Sequence, residues 1–510
     1  MFRTLELLGG LSLVTDLGTG SPLEESLKRC LVAARLAKII GSADPEVSDV
    51  LYTALLQHLG CTAYAHEAAR VWGDDVVTAR VSFLSSSGEP KDIWRIWIPE
   101  MANATGRSKA RVLATTVVTA KRMDAEGTAA TCEVARGASQ ALGLPEPVQM
   151  GLSNMFAMWN GKGFPNTAGE AIPLAARVMQ VALTAVMFAS HANIEVAMAE
   201  VRRRAGTQLD PNLADVLVKR SNELLGDLDE IDAYQAVLDI EPEPVRRVEK
   251  SDLADVARTF GNLVDLKSPW LQGHSAGVGD LAARAAGMLG LREDVDAVRV
   301  AGYLHDLGRI GVSSAIWDKA GPLSGIERDQ ARLHAYHSER ILARIPPLTR
   351  LAKLAGEHHE RCDGSGYHRG STAAQLSMAS RLLACADAYR RWIEDRPYRR
   401  ALAPARAADR LEAEARAGRL DADAAAAVIE AAGLPRGVRR ARPADLTERQ
   451  VEVLRLVSRG LSNSEIAERL VLSRRTVEHH VQDVYVKIGA STRAGAAMFA
   501  MQHGLLDQSG

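Results

Sequence analysis

The sequence predicts an all-α protein, and three observations carry that prediction. Alanine, leucine, arginine and glutamate dominate the chain, apolar residues recur at helical spacing, and few runs alternate polar residues with valine, isoleucine or aromatics. With 510 residues, 47% of them hydrophobic and 25% charged, the chain is long enough for three globular domains and too apolar for a disordered protein. Only the segments 76–84 and 93–97 leave a choice between strand and helix.

Two segments with prolines and several charges, 239–250 and 434–445, are predicted linkers. They divide the chain into domains 1–240, 251–433 and 444–506. The five cysteines form no CxxC pair, which favours a reducing cytoplasm, and the first residues lack a secretory signal pattern. The apolar run 171–190 has about the length of a membrane span, but we expect a buried core helix and no membrane partner.

The first two domains resemble each other, which predicts a duplicated helical domain. Four pairs of segments match in the same order: 55–61 with 303–309, 160–164 with 363–367, 172–182 with 376–386, and 209–217 with 420–428. The chemistry of the copies differs. The first copy has Gln57, His58, Asn160 and Leu183 where the second has His305, Asp306, Asp363 and Asp387, and Met155 and Phe156 where the second has His358 and His359. The first copy is therefore either a nucleotide-sensing domain without turnover or a purely structural one.

Histidines are concentrated in the second copy, where seven of the 13 lie between His274 and His368. A mixed nitrogen and carboxylate set suits two divalent ions such as iron, manganese or zinc, whereas magnesium and calcium prefer oxygen ligands. The predicted ligands are His274, His305, Asp306, His334, His358, His359 and Asp387. Asp306, at the end of a helix, is placed to bridge two ions, and such a pair favours phosphodiester hydrolysis. His337, one turn after His334, is expected outside the set.

These residues resemble the HD-GYP subfamily of HD phosphohydrolases over residues 264–389. HDLGR (305–309) and HHERCDGSGYH (358–368) match its two motifs, with His274 before them and Asp387 after. The resemblance implies an all-helical domain with a two- or three-metal centre that hydrolyses cyclic di-GMP. The glycines of DGSGY allow close approach of a ligand, and its tyrosine can stack on a base. The substrate-binding candidates are Arg309, Asp363, Gly364, Gly366 and Tyr367.

Three positions depart from the family pattern. Arg309 replaces a lysine; it is too basic to donate a proton but can grip a phosphate, and with Asp306 it forms our catalytic pair. His368 replaces the proline of GYP, so the loop is either looser or makes another polar contact. Trp270 stands where three-metal members carry a glutamate. We therefore expect two metal ions.

Three helix starts follow one another after residue 446. Thr447 with Gln450 and Ser462 with Glu465 form capping boxes, and Ser473 is placed to cap a third helix. The short turn between the second and third helices predicts a helix-turn-helix, and a fourth helix is expected over 491–504.

This segment closely resembles the LuxR-type helix-turn-helix, including GLSNSEIAERL and the KIG of 487–489. The resemblance implies that the helix 473–487 enters the major groove of DNA. Glu478, His479 and Gln482 fall at the positions that face bases. The residues better placed for phosphates are Asn463, Arg474, Arg475, Thr476 and Lys487.

The parts together predict a cytoplasmic transcriptional regulator in which a metal-dependent domain hydrolyses or senses cyclic di-GMP and controls DNA binding. LuxR-type domains usually act as dimers, so a homodimer is expected. Two alternatives stay open. One is a DNA-binding regulator whose metal domain binds a ligand with little turnover, and the other is an HD phosphohydrolase for a different nucleotide.

Overall fold

The computed structural model describes residues 1–85, 90–433 and 443–506. The all-α prediction is confirmed, because the described residues contain a single two-stranded sheet, in which Phe2–Arg3 pairs antiparallel with Arg247–Val248. Contacts divide the chain into two units, Met1–Glu249 and Lys250–Gly510. The predicted linker 434–445 lies outside the described residues except for 443–445.

The first unit is built from short and medium helices around one long apolar helix. Its α-helices are Thr4–Gly18, Glu25–Ile39, Asp44–Leu55, Ala65–Trp72, Asp75–Leu84, Pro90–Asp92, Ile98–Thr105, Lys109–Ala141, Glu146–Ser153, Leu174–His191, Ile194–Arg204, Pro211–Lys219, Ser221–Leu225 and Ala233–Ile240. Cys61–Tyr64 and Gly169–Ala171 form 3-10 turns. The segments left open between strand and helix are helical, with Ile93–Trp97 forming a π-helical turn.

The helix Leu174–His191 is the one described helix that is long and apolar enough to cross a membrane. Thirteen of its 18 residues, between Ala175 and Phe188, are buried, and the helix packs against Glu25–Ile39 and Asp44–Leu55. Burial of these apolar side chains stabilises the unit through the hydrophobic effect. The helix therefore serves as the core helix of this unit.

The segment 239–250 belongs largely to the first unit rather than forming an open linker. Glu241 accepts a hydrogen bond from the Tyr52 hydroxyl at 2.6 Å and pairs with the Arg3 guanidinium at 2.6 Å. Arg247–Val248 then forms the short strand beside Phe2–Arg3. These contacts close the two ends of the unit on each other.

The second unit begins with the helices that carry the metal-ligand motifs. They are Leu253–Asp265, His274–Met288, Val295–Leu304, Ser314–Trp317, Gly325–Ala343, Thr349–Gly356, Met378–Ile393, Pro404–Arg416 and Ala422–Gly433. Lys250–Asp252, Leu307–Gly311, Pro346–Leu348 and Pro443–Asp445 form 3-10 turns. Ser324 and Glu327 form a capping box that starts Gly325–Ala343.

The C-terminal part folds as four short helices, Glu448–Ser458, Asn463–Leu470, Arg474–Ile488 and Arg493–Gln502. Both predicted capping boxes form, and the Ser473 hydroxyl accepts a hydrogen bond from the Thr476 amide at 3.0 Å. The prediction of three capped helices is thereby confirmed. Ile466, Val477 and Val484 lie in the core of this bundle and orient the third helix.

The two units share a local arrangement, outside the four matched pairs of segments, in which an aspartate accepts from a serine ten residues later at the start of a helix. In the first, the Asp16 carboxylate accepts from the Ser26 amide and hydroxyl, both at 3.0 Å. In the second, Asp265 accepts from the Ser275 amide at 2.9 Å and hydroxyl at 2.7 Å. The repeated helix-capping contact supports a duplicated fold.

Candidate metal centre

The predicted ligands come together in two groups inside the second unit. His274, His305 and Asp306 form one group, and His334, His358 and His359 form the other. Within each group, one ligand atom per residue lies within 4.8 Å of the others, and all six residues are buried. Groups of this kind occur only in this unit among the residues that the structure describes.

Asp306 lies between the two groups, with one carboxylate oxygen toward each. Its Oδ2 lies 3.0 Å from His305 Nε2 and 3.5 Å from His274 Nε2. Its Oδ1 lies 3.4 Å from His334 Nε2 and 3.5 Å from His358 Nε2. A carboxylate in this position can bind one ion with each oxygen.

Asp387 also spans the groups, from the middle of the helix Met378–Ile393. Its Oδ1 lies 3.3 Å from His274 Nε2, and its Oδ2 lies 3.4 Å from His359 Nδ1. The side chain is fully buried, so it contributes a second negative charge to a site closed to bulk water on that side. Two carboxylates and five imidazoles thus surround one small volume.

Main-chain carbonyls fix the orientation of three of the histidine rings. Nδ1 of His305 donates to the Gly302 carbonyl at 2.7 Å, and Nδ1 of His358 donates to the Ala355 carbonyl at 2.6 Å. His334 makes the same contact with the carbonyl three residues before it. Because a carbonyl only accepts, Nδ1 carries the hydrogen and Nε2 presents a lone pair to the centre.

The inward-facing atoms fit metal ions because they make no hydrogen bonds, and of them Asp306 Oδ2 also lies 2.9 Å from the Arg309 guanidinium. Nε2 of His274 and His305 and both oxygens of Asp306 and Asp387 are buried without a hydrogen bond to any described residue. Nε2 of His334 lies 3.1 Å from Nε2 of His358, so two lone pairs face each other. Buried acceptors in this arrangement repel unless a cation lies among them. The donor set therefore suits divalent transition metals.

The protonation states of His358, His359 and Asp306 suit metal binding, whereas the Glu394 carboxylate outweighs burial and raises the pKa of His274 to about 9. Burial lowers the pKa of His358 and His359 well below the usual value and keeps both imidazoles neutral. Burial alone would raise the pKa of Asp306, but the Arg309 guanidinium and the His305 ring outweigh it and hold that pKa well below its usual value. Neutral imidazoles beside an ionised carboxylate are the ligand forms that divalent metals require.

Arg309 lies inside the site, next to the bridging carboxylate. Its Nη2 is 2.9 Å from Asp306 Oδ2, and its Cζ lies 5.2 Å from the centre of the Trp317 ring. The side chain is only 4% exposed, so the position that carries a lysine in the family pattern holds a buried, fixed positive charge here. The charge lies where a phosphate next to Asp306 would meet it.

In the DGSGY loop, Tyr367 lies beside the ligand groups, whereas Asp363, Gly364 and Gly366 determine the conformation of the loop. The Tyr367 ring lies 4.8 Å from the His359 ring. Asp363 is exposed, and its carboxylate accepts from the Ser365 amide and hydroxyl. A β-carbon on Gly366 would lie 2.4 Å from the Arg361 amide nitrogen, and Gly364 has a φ of +79°. Both glycines are thus required by the loop itself.

Comparison with known proteins identifies the family. Residues 258–424 match the HD domain family, and residues 444–500 match the luxR family of bacterial regulatory proteins. The 3'3'-cGAMP-specific phosphodiesterase 3 of Vibrio cholerae is 30% identical over 412 residues, which cover 79% of this chain and 88% of that protein. The chain belongs to the HD-GYP family of phosphodiesterases.

Two further relatives support this conclusion. A crystal structure of a V. cholerae cyclic GMP-AMP-specific phosphodiesterase, V-cGAP3, superposes with a TM-score of 0.58 at 27% identity, covering 85% of this chain and 99% of that one. A cyclic di-GMP phosphodiesterase of Thermotoga maritima is 33% identical over 150 residues, 29% of this chain and 41% of that protein. The chain therefore joins an HD-GYP phosphodiesterase domain to a LuxR-type DNA-binding domain. HD-domain phosphodiesterases depend on divalent metals.

The departures from the HD-GYP pattern have structural counterparts. His368 stands in place of the proline, and its Nε2 lies 2.9 Å from a Glu339 carboxylate oxygen. This is the polar contact that the sequence allowed as the alternative to a looser loop. His337 is half-buried and belongs to neither ligand group. Trp270 contributes its main-chain carbonyl, which accepts a hydrogen bond from Arg396.

Two polar residues near the HD-GYP site escaped the sequence analysis. Glu394 accepts a hydrogen bond from His274 Nδ1 at 2.8 Å, and Arg396 binds Glu394 in turn at 2.8 Å. Both follow the helix that carries Asp387, so the available signal was a charged cluster one or two turns beyond a predicted ligand. The resemblance had been traced only as far as residue 389.

The first copy carries an arginine among the residues that replace metal ligands. Arg29 is fully buried, with Nη1 3.0 Å from His58 Nε2 and Nε donating to the Ala54 carbonyl at 3.4 Å. Burial lowers the pKa of Arg29, against the opposing negative charges of Asp16 and Glu25. A side-chain cation therefore accompanies the buried carboxylates of this copy.

The LuxR-type domain exposes the residues predicted to face bases. Glu478, His479 and Gln482 are exposed on the helix Arg474–Ile488. The Arg474 guanidinium lies 2.9 Å from the Glu478 carboxylate, so the acidic residue has a basic neighbour.

The residues predicted to contact phosphates divide into two sets. Arg474, Arg475 and Thr476 are exposed in the first turn of the third helix. Lys487 donates to the Asp445 carbonyl at 3.0 Å and to the Gln450 side chain at 2.9 Å, and the Asn463 oxygen accepts from Arg493 at 3.1 Å. Lys487 and Asn463 thus also hold the helices of the domain together.

Proposed function

We propose that this protein is a metal-dependent phosphodiesterase that hydrolyses a 3',3'-linked cyclic dinucleotide and is also a DNA-binding transcriptional regulator. The observation that carries the proposal is the position of Asp306, which turns one oxygen to each of two histidine groups. Two divalent ions held by these groups would supply an activated water and positive charge for the attacking and leaving oxygens of a phosphodiester. In the overall reaction, one water is consumed and one phosphorus–oxygen ester bond breaks.

The surrounding side chains contribute charge and a stacking surface. The Arg309 guanidinium, held 2.9 Å from Asp306, provides a fixed positive charge for a non-bridging phosphate oxygen. The face of Tyr367 lies near His359, and the Cζ of Arg332 lies 4.7 Å from the ring centre. An aromatic ring beside an arginine is suited to a nucleobase.

For the substrate, we propose cyclic di-GMP or 3',3'-cGAMP. The metal motifs resemble those of cyclic di-GMP hydrolases, whereas the relative that aligns with most of the chain is named for cGAMP. The two substrates differ in one base, so they share the phosphate chemistry and differ only in what contacts that base. The ratio of their kcat/KM values decides between them.

The test is hydrolysis of both cyclic dinucleotides by the metal-loaded full chain and by Asp306→Ala, with metal content measured on each. We expect wild-type turnover, and loss of both turnover and metal in the variant. Asp296→Ala, which changes an exposed carboxylate on the helix Val295–Leu304, is the matched control and keeps both. A protein that holds two metals and hydrolyses neither dinucleotide contradicts the proposed activity.

A ligand sensor with little turnover is the second candidate function. It is favoured by the ion pair between Arg309 and Asp306, because an arginine does not give up a proton to a leaving oxygen. In that case wild-type protein binds a cyclic dinucleotide, and Arg309→Lys gains turnover. Hydrolysis of another nucleotide instead of these two would support the third possibility, a different HD phosphohydrolase.

We also propose that the helix Arg474–Ile488 enters the major groove of DNA, with the protein working as a homodimer in the cytoplasm. The exposed Glu478, His479 and Gln482 support contact of this helix with DNA. The five free cysteines support a cytoplasmic location. Duplexes selected from a random-sequence pool provide the probe. Gln482→Ala is expected to weaken binding to the selected duplex by about 1–3 kcal/mol and to relax the sequence preference at one base pair. Arg475→Ala is expected to weaken binding to all duplexes. It should also lower the slope of log affinity against log salt concentration by about 1.

Coupling between the two activities has a physical route in the second unit. A β-carbon built on Gly460 of the DNA-binding domain would lie 3.2 Å from the Pro269 side chain, and one built on Gly273 would lie 3.6 Å from Leu506. Both contacts involve the loop that leads into His274. A change at this ligand can therefore reach the DNA-binding helices through packed atoms.

A further inference from the structure

His274 differs from the other histidines of the centre in what holds its outer nitrogen. His305, His334 and His358 each donate Nδ1–H to the carbonyl three residues earlier. For His274 the equivalent carbonyl, that of Leu271, already accepts the amide of His274 itself at 2.9 Å. His274 is the first residue of its helix, so its ring needs an acceptor from elsewhere in the fold.

That acceptor is Glu394, which lies 120 residues away along the chain. Its Oε2 is 2.8 Å from His274 Nδ1, and the His274 ring is fully buried. On the opposite edge, Nε2 of His274 faces Asp306 at 3.5 Å and Asp387 at 3.3 Å without a hydrogen bond. The ring therefore spans the distance from Glu394 to the two carboxylates of the metal centre.

Two arginines hold the Glu394 carboxylate in place. Arg390, four residues earlier in the helix that ends at Ile393, donates Nε–H to Oε1 at 3.1 Å. Arg396 donates to Oε2 at 2.8 Å and also to the Trp270 carbonyl in the loop before His274. Because Arg396 contacts both the glutamate and this loop, it fixes the glutamate relative to the backbone that carries the ligand.

We propose that Glu394 is a positioning residue of the metal centre, which fixes the tautomer and the ring orientation of His274 so that Nε2 is the metal-binding atom. The inference rests on the proposed metal site. A carboxylate accepting from Nδ1–H also makes the imidazole a stronger donor to a metal than a carbonyl partner does. His274 is the ligand with the least support from its own helix, and Glu394 supplies that support.

The competing explanation is that Glu394 is simply the centre of a buried ion cluster with Arg390 and Arg396. The two explanations differ in how Glu394 depends on His274. A positioning residue affects the metal only through the histidine ring, so its effect on metal affinity disappears when that ring is removed. A structural ion cluster affects the fold whether or not the ring is present.

The test measures Zn²⁺ affinity of the full chain, by competition with a chelating indicator, for wild type, Glu394→Gln, His274→Ala and the double variant. We expect Glu394→Gln to bind Zn²⁺ about 10–100-fold more weakly at one site, and to add no further loss in the His274→Ala background. Glu412→Gln, on an exposed face of the same unit, is the control and keeps wild-type affinity. Unchanged affinity in Glu394→Gln, or an equal loss with and without His274, overturns the inference.

Glu394→Asp provides a second variant if the glutamine variant does not fold. It keeps the negative charge for Arg390 and Arg396 but withdraws the oxygen from Nδ1 by about one carbon–carbon bond. We expect the same weakened Zn²⁺ binding, with an altered visible spectrum of the Co²⁺-loaded protein. Wild-type affinity and spectrum in Glu394→Asp would refute the inference. Wild-type protein that binds metal without hydrolysing a cyclic dinucleotide would refute the proposed activity and leave this inference standing.

Discussion

The two copies of the helical domain both bury carboxylates but place different cations beside them. In the second copy, Asp306 and Asp387 face five histidines and make no hydrogen bonds, so they suit metal ions, although Asp306 also has the Arg309 guanidinium at 2.9 Å. In the first copy, the fully buried Arg29 guanidinium acts on Asp16, whose pKa burial still raises to about 7, while Glu25 pairs with Arg80 at 2.8 Å. A buried negative site needs a positive charge, and a fold can take it from solution or from its own sequence.

The difference in cation implies a difference in dependence on the surroundings. A site filled by a side chain is complete once the chain has folded, so the first copy needs no ion to satisfy its carboxylates. A site built from lone pairs gains stability only when metal is bound, and the gain rises with the logarithm of the metal concentration above the dissociation constant. The same scaffold therefore serves as a fixed structural element in one copy and a ligand-responsive element in the other.

The largest expected effect comes from removing the side-chain cation. Arg29→Met removes the positive charge that acts on buried Asp16, while Glu25 keeps its ion pair with Arg80 at 2.8 Å, and we expect the first unit to lose about 3–5 kcal/mol of stability. Hydrogen exchange of peptides from residues 1–85, followed by mass spectrometry, measures the loss. The metal content is expected to stay at the wild-type value.

The matched control removes both charges. Asp16→Asn combined with Arg29→Met is expected to be more stable than Arg29→Met alone, since one uncompensated buried charge is gone. Asp16 also accepts two hydrogen bonds from Ser26, and the asparagine oxygen can keep only part of them. Equal stability of the single and double variants would break the comparison, because it would mean that Arg29 does not balance Asp16.

Much of the metal centre could be predicted from the sequence, because its ligands lie in short motifs. His305 with Asp306, and His358 with His359, are neighbours along the chain, so the spacing alone indicates a shared site. The partner of His274 could not be predicted in this way. Glu394 lies 120 residues from His274, and only the packing of two helices brings the side chains together.

In the first copy too, the sequence does not predict contacts between residues that are far apart in the chain. Pairing the segments reveals which ligands are absent, such as His58 in place of Asp306, but it does not reveal what replaces them. Arg29 corresponds to no ligand, because none of the four matched pairs of segments includes it. It lies on the helix Glu25–Ile39, one turn after Glu25, and its guanidinium contacts His58. The helix starts of the DNA-binding domain were predictable because a capping box is complete within four residues.

Metal removal is the second prediction and affects the other copy. Dialysis against a chelator should destabilise the second unit by about 2.7 kcal/mol relative to protein held at a metal concentration 100 times the dissociation constant. Hydrogen exchange should increase in the helices His274–Met288 and Met378–Ile393, which carry ligands. Peptides from the first unit serve as the internal control. An increase of similar size in both units would show that the first copy also depends on the ion.

Two glycines at matching positions of the copies, Gly308 and Gly60, each lie against a backbone carbonyl. A β-carbon on Gly308 would lie 2.1 Å from the His334 carbonyl oxygen, and one on Gly60 would lie 2.2 Å from the Thr131 carbonyl oxygen. Each alanine substitution must push two backbone segments apart, at a cost of about 1–3 kcal/mol. Gly308→Ala should in addition weaken metal binding because it displaces His334, whereas Gly60→Ala should not. Equal metal contents in the two variants would contradict the assignment of His334 as a ligand.

The smallest expected effect concerns DNA. If the metal-binding copy is the responsive one, a cyclic dinucleotide changes the affinity for a selected duplex by about 5-fold or more, the lower end of ordinary allosteric coupling. Asp306→Ala should abolish this response, since it removes the carboxylate between the ligand groups. Arg29→Met, at a temperature where it is folded, should retain the response. Fluorescence anisotropy of labelled duplex, with and without the nucleotide, measures both. A response lost in Arg29→Met but kept in Asp306→Ala would reverse the roles, because the ligand would then act through the copy whose cation is its own arginine.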